Sequence, residues 1–174
     1  MNNTSHKELR EIRDDFIAQW GAVANAWGIN RTMAQIHALL MVTPQPLSTD
    51  DVMDELKISR GNAHSNLREL VNWGLLRSVL LKGERKEYFE AEKDVWKIFA
   101  IIVRERKRRE IDPIVEVLHQ CKQRTESIKG AEASAFHEQV SALCEFVDFA
   151  TKTMDGIVSS SENKLMTLAL KFLH

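Results

Sequence analysis

Residues 59–68 read SRGNAHSNLR, and the polar members Arg60, Asn62, His64, Ser65 and Arg68 alternate with Ala63 and Leu67, which continue into Leu70 and Val71 at steps of one to four. That spacing places the apolar set on one side of a helix and the polar set on the other. The chemistry on offer is recognition. A guanidinium donates a bidentate pair to guanine, a carboxamide does so to adenine, and Ser or His serves base or phosphate. Singly, Asn62 and His64 read as solvated surface residues; as a set on one face of a short helix, all five point to a DNA groove. Gly61 leaves room for a phosphate near the positive end of that helix. A second basic group follows, with Arg77, Lys82, Arg85 and Lys86 around Gly83. Such charges suit a duplex backbone or minor groove. They equally suit an edge strand protected against aggregation.

The elements that must position these groups are mostly helical. Leu9, Ile12, Phe16, Trp20, Val23 and Trp27 form one helical stripe, stopped by Gly28. Asn30 caps a second helix, which ends before Pro44 and Pro46, leaving only a very short extended segment at Leu47. Ser48 caps a short helix carrying Asp50 and Asp51 in its first turn, where the helix dipole favours acids. Ser59 caps the helix described above, and Gly74 ends it. The period then changes to that of a β-hairpin, LLRSVLL–KGER–KEYFEAE. Asp94 caps a helix whose apolar residues 95–103 face all round and are expected to be buried on several sides. Asp112-Pro113 marks a kink or restart. After a break at residues 127–130, Phe136, Val140, Leu143, Val147, Ala150, Met154 and Ile157 form a heptad seam, and a last helix is expected over residues 164–173.

The fold expected is therefore mainly α with a small β-hairpin: a winged helix-turn-helix lobe plus a helical dimerisation region. The divisions are an N-terminal helix (1–28), a DNA-binding lobe (29–93) and a C-terminal helical region (94–174).

Charge separates along these divisions. The 174 residues carry a net charge of −1, which alone suggests no polyanionic partner. Yet residues 57–109 hold 14 basic and 7 acidic side chains, a net +7, while each flank carries −4. A solvated, ion-paired surface is the plainer explanation; coincidence with the recognition-type helix and hairpin favours nucleic acid. With no apolar stretch approaching a membrane span, a soluble, cytoplasmic protein is expected.

The segment LSTDDVMDELKISRGNAHSNLRELVNWGLLRSVLLKGERKEYFEAEKDVWKIF, followed by the basic run RERKRREIDP, resembles the GbsR branch of the MarR-type bacterial transcriptional regulators. The parallel spans residues 47–113 and is most particular in SRGNAHSNLRELVNWGL and KGERKEYFEAEKDVWKIF. It implies a homodimer that binds a pseudo-palindromic operator in double-stranded DNA, with repression relieved by a small molecule. It assigns Ser59, Arg60, Asn62, His64, Ser65, Asn66 and Arg68 to the recognition helix, and Lys82, Gly83, Arg85 and Lys86, beside Arg77, to the wing. His64 departs from the pattern and leaves the base preference open. The heptad seam also fits dimerisation, although an intramolecular antiparallel bundle would use it equally.

Members of this branch are linked to choline or glycine betaine. A quaternary ammonium effector needs aromatic faces, and Trp20, Trp27, Trp96 and Phe99 are candidates, with core packing as the plainer reading. Cys121 and Cys144 raise a thiol-based redox sensor as an alternative, but both fall on apolar stripes where ordinary buried thiols sit. His119, Cys121, His137 and Cys144 make no compact metal motif. No catalytic constellation is present, so neither enzyme activity nor a cofactor is expected. A protein-interaction module built on a winged-helix lobe is the remaining alternative.

Overall fold

Gly28 (φ 78°) ends the first helix and Asn30 begins the second, its side chain accepting from the Met33 N–H at 3.0 Å. These are α1 (Asn3–Ala26) and α2 (Arg31–Val42) in a computed structural model that describes residues 3–161. The chain divides into two compact units, with the boundary between Asp94 and Val95.

In the first unit α2 is the central element. Met33, Ala34, Ile36, Ala38, Leu39 and Leu40 are all buried, because α1, α3, α4 and β3 each pack on it. α1 turns Ile17 and Gly21 toward α2 and leaves Leu9, Ile12 and Val23 of its apolar stripe exposed, as is Trp27 just beyond its end. A Cβ on Gly21 would lie 2.5 Å from Gln35 Cγ and 3.2 Å from the Arg31 carbonyl oxygen, so this close crossing needs glycine.

Two residues of extended chain, β1 (Leu47–Ser48), lead into α3 (Thr49–Leu56). Ser48 and Asp51 form a reciprocal capping box: the Asp51 carboxylate accepts from the Ser48 N–H at 2.8 Å, and Ser48 Oγ accepts from the Asp51 N–H at 3.3 Å. Lys57 (φ 55°) makes the turn to α4 (Arg60–Trp73), which Ser59 caps and Gly74 (φ 83°) ends. The hairpin is β2 (Leu76–Leu80) and β3 (Glu87–Ala91), antiparallel, and β1 pairs with the other edge of β3 to make a sheet ordered β1-β3-β2. Phe89, opposite both Leu47 and Ser78, is 1% exposed and closes the core with Ile36, Leu39, Leu40, Val52, Leu67 and Leu70.

The second unit contains α5 (Val95–Arg106), a π-helical turn (Lys107–Ile111), α6 (Asp112–Thr125) and α7 (Ala131–Ser161). At Asp112-Pro113, where a kink or restart is expected, a π-helical turn gives way to α6, which begins at Asp112 with Pro113 in its first turn, where its missing N–H is tolerated. Lys107 Nζ holds this turn, 3.1 Å from Asp112 and 3.4 Å from Asp155 on α7. Residues 95–103 are less buried within the chain than expected. Ile98 and Ala100 are covered, but Val95, Trp96 and Phe99 are exposed, because α7 covers one side only.

On α7 the covered face is centred on Val140 and Cys144, so the heptad seam is rotated partly out of the unit. Phe136, Leu143, Phe146 and Phe149 remain exposed, as do Ile114 and Val117 of α6. The helix expected over residues 164–173 lies outside the described residues. Among the described residues no helix is long and apolar enough to cross a membrane.

Candidate nucleic-acid interface

α4 buries Ala63, Leu67 and Leu70 and leaves Arg60, Gly61, Asn62, His64, Ser65 and Arg68 exposed, while Val71 is half-buried. The apolar side fixes the helix against α2 and α3; the polar side is thereby held outward on a rigid element. Ser59 caps the first turn, its Oγ accepting from the Asn62 N–H at 3.4 Å. At Gly61 an added Cβ would meet nothing, so the helix start is open to close backbone approach. Asn66 lies inward. Its Nδ2 donates to the Asn62 carbonyl at 2.8 Å and to Asn62 Oδ1 at 2.7 Å, fixing that side chain rather than presenting its own amide.

The wing carries its cations at graded distances from acids. Arg77 on β2 pairs with Glu90, its register partner across the hairpin. Lys82 and Arg85 are exposed at the tip around Gly83 (φ 89°) and have no acidic partner among the described residues. Lys86 donates to Asp50 Oδ2 at 2.8 Å, while Arg60 donates to Asp50 Oδ1 at 2.5 Å. One carboxylate of α3 thus joins the start of α4 to the wing. The hydrogen bond from Lys86, then that from Arg60, holds the Asp50 carboxyl below its ordinary range, and the same bond raises the Lys86 ammonium. Farther along α4, Arg68 lies 3.8 Å from Glu87, whose carboxylate also accepts from Ser78 Oγ at 2.7 Å.

The role of Asp50 was hidden in the sequence, where a first-turn acid reads as a helix-dipole partner. Its cationic neighbours lie 10 and 36 residues away, and no local pattern links them. Lys93 was hidden in the same way. Its Nζ donates to the carbonyls of Leu40, Met41 and Thr43 at 2.6, 2.8 and 2.8 Å, satisfying the end of α2 from beyond the wing. Burial lowers its pKa.

The aromatic candidates divide between units: Trp20 on α1 and Trp27 in the turn after it in the first, Trp96 and Phe99 on α5 in the second, all exposed in some part. Trp20 rests against Phe16 with ring centroids 5.6 Å apart. Cys144 is buried and Cys121 half-buried. His119 is 3.0 Å from Asp148 and His137 is 2.9 Å from Thr125, and among the described residues no group of three or more ligands is placed for a metal.

This arrangement, with three helices, a short third strand and a basic hairpin beside an exposed polar helix, is a winged-helix regulator fold. A crystal structure described as a transcriptional regulator superposes with a TM-score of 0.65 at 18% identity, covering 86% of this chain and 97% of the other. In sequence the chain is GbsR-like over its length. The HTH-type transcriptional repressor GbsR of Bacillus subtilis (strain 168) is 18% identical over 178 residues, 97% of this chain and 98% of the relative. A second protein of that organism, YvaV, is 21% identical over 91 residues, 52% of this chain and 51% of its own. No family model matches the chain. By its name GbsR is a transcriptional repressor.

Proposed function

We propose that this protein is a sequence-specific DNA-binding transcriptional repressor that binds a pseudo-palindromic operator as a homodimer. The observation that carries this reading is the outward face of α4, where Arg60, Asn62, His64, Ser65 and Arg68 project from a helix fixed by a buried stripe. Placed in a major groove, Arg60 and Asn62 read base edges. Lys82, Arg85 and Lys86 follow the backbone or enter the adjacent minor groove, with Arg77 behind them. The exposed apolar surfaces of α1, α6 and α7 support a second copy as their cover. Two lobes about 34 Å apart would read half-sites one helical turn apart and sum their energies.

Control by a quaternary ammonium compound such as choline or glycine betaine belongs to the same proposal. The exposed ring surfaces of Trp20 and Trp27 in the first unit and, separately, of Trp96 and Phe99 in the second are its support. Calorimetry with choline and betaine should show heat and a change in DNA affinity; absence of both removes this part alone.

The main reading is tested by titrating duplex DNA at several salt concentrations. Log affinity should fall with log salt at about −0.9 per phosphate neutralised. Arg60→Ala should cost about 1–3 kcal/mol at one base position and relax specificity there, whereas Lys86→Ala should weaken all duplexes alike. Salt-insensitive binding, or none to any duplex, would exclude it.

A further inference from the structure

Arg60 and Lys86 come from two different elements and end on the two oxygens of a single carboxylate, Asp50, at 2.5 and 2.8 Å. All three side chains are substantially exposed, at 69%, 59% and 38%, so burial does not force the contact. Exposed ion pairs add little to stability. Here the pairing instead occupies two of the cations that the proposed DNA surface would use.

We propose that Asp50 is a specificity-determining residue, a counter-charge that suppresses indiscriminate phosphate binding while leaving base readout by Arg60 open. This rests on the DNA-binding reading above. A phosphate capturing Arg60 or Lys86 must replace one anion with another. The displaced carboxylate then stays within a Debye length, about 10 Å at 0.1 M salt, of the DNA charge that repels it. A guanine edge asks for less. O6 and N7 are neutral acceptors, and a guanidinium has five N–H donors in a fixed fork. Arg60 gives Asp50 a hydrogen bond through Nη2 and keeps donors for a base. The carboxylate therefore penalises the backbone-only complex more than the specific one, and it steadies the guanidinium that reads sequence.

Position adds a second effect. Because Asp50 lies on α3, its two bonds set the wing's Lys86 and the first residue of α4 at a fixed spacing across the putting-together of three elements, α3, α4 and the wing loop. The neighbouring acid Asp51 faces its own helix start and bonds Ser48, and its charge acts on Lys86 only as the smallest of several influences, well behind Asp50.

The test compares wild type with Asp50→Asn on two probes: a duplex selected from a random library by the wild-type protein, and a random-sequence duplex of equal length. Asp50→Asn should bind the random duplex about three- to tenfold more tightly, the scale of one or two exposed ion pairs. Its salt slope there should steepen by about 0.9, one further phosphate. The selected duplex should gain less, so the ratio of the two affinities falls. Asp50→Glu should restore the ratio. Asp51→Asn, which weakens the capping box at the same helix start, should lower thermal stability and change ratio and slope far less than Asp50→Asn does. An unchanged ratio and slope in Asp50→Asn, or equal changes in Asp51→Asn, would overturn the proposal while selective wild-type binding upholds the DNA reading. A wild type that binds neither duplex overturns both.

Discussion

His37 shows how a single residue can be costly in the ground state. It is 3% exposed on α2, and its Nε2 has no hydrogen-bond partner among the described residues. Burial, with a smaller push from Lys93, lowers its pKa from 6.5 to about 4. The sign follows from proton binding. Between those values the unfolded chain takes up a proton that the folded protein refuses, so stability falls as pH falls through this window and is unaffected by His37 above it. The total is ~3 kcal/mol. Urea midpoints measured from pH 7.5 to pH 4.5 should drop accordingly, and His37→Leu should remove that part of the slope. A wild-type profile as flat as the variant's would show that His37 keeps its ordinary affinity for protons.

At the scale of elements, α1 and α2 cross where Gly21 meets Arg31 and Gln35. Gly21→Val should push the helices apart and lower unfolding free energy by ~1–3 kcal/mol, measured by denaturant titration. A glycine at this place is unmarked in the sequence, because the apolar stripe from Leu9 to Trp27 is offset from the face that actually packs. Elements whose signals are local were readable: Asn30, Ser48 and Ser59 as caps, Gly28 and Gly74 as stops, the outward set of α4, and the hairpin. Those that depend on partners were not. The two-residue β1 is too short to carry a period, although Leu47 was recognisable as extended. The π turn conceals itself in a continuous helical pattern, and the burial of residues 95–103 turns on how much of them α7 covers. The candidate site divides in the same way. The side chains of Arg60, Asn62 and Arg68 followed from helical phase, whereas Asp50 and the inward turn of Asn66 required the tertiary fold.

For the whole molecule, the outstanding feature is apolar surface that the described residues of either unit leave exposed. Phe146 and Phe149 are 67% and 69% exposed, with Leu143, Phe136, Ile114 and Val117 also outside. If these surfaces hold the proposed second copy, Phe146→Glu should weaken self-association by ~30-fold or more, as loss of a buried aromatic anchor does. Sedimentation equilibrium would show it, and circular dichroism should stay unchanged because the ring is not part of the unit's own core. A variant as dimeric as the wild type would move the interface elsewhere on the chain.

Lys93 has a consequence for how the protein is made. Its ammonium reaches back 50 to 53 residues to the end of α2, one residue before the boundary between the units. On the ribosome the first unit can therefore close the end of α2 once this lysine has emerged, while the second is still being synthesised. At roughly 5–20 residues per second, that gives a head start of seconds in which the lobe can close by itself, before the exposed faces of α6 and α7 are complete.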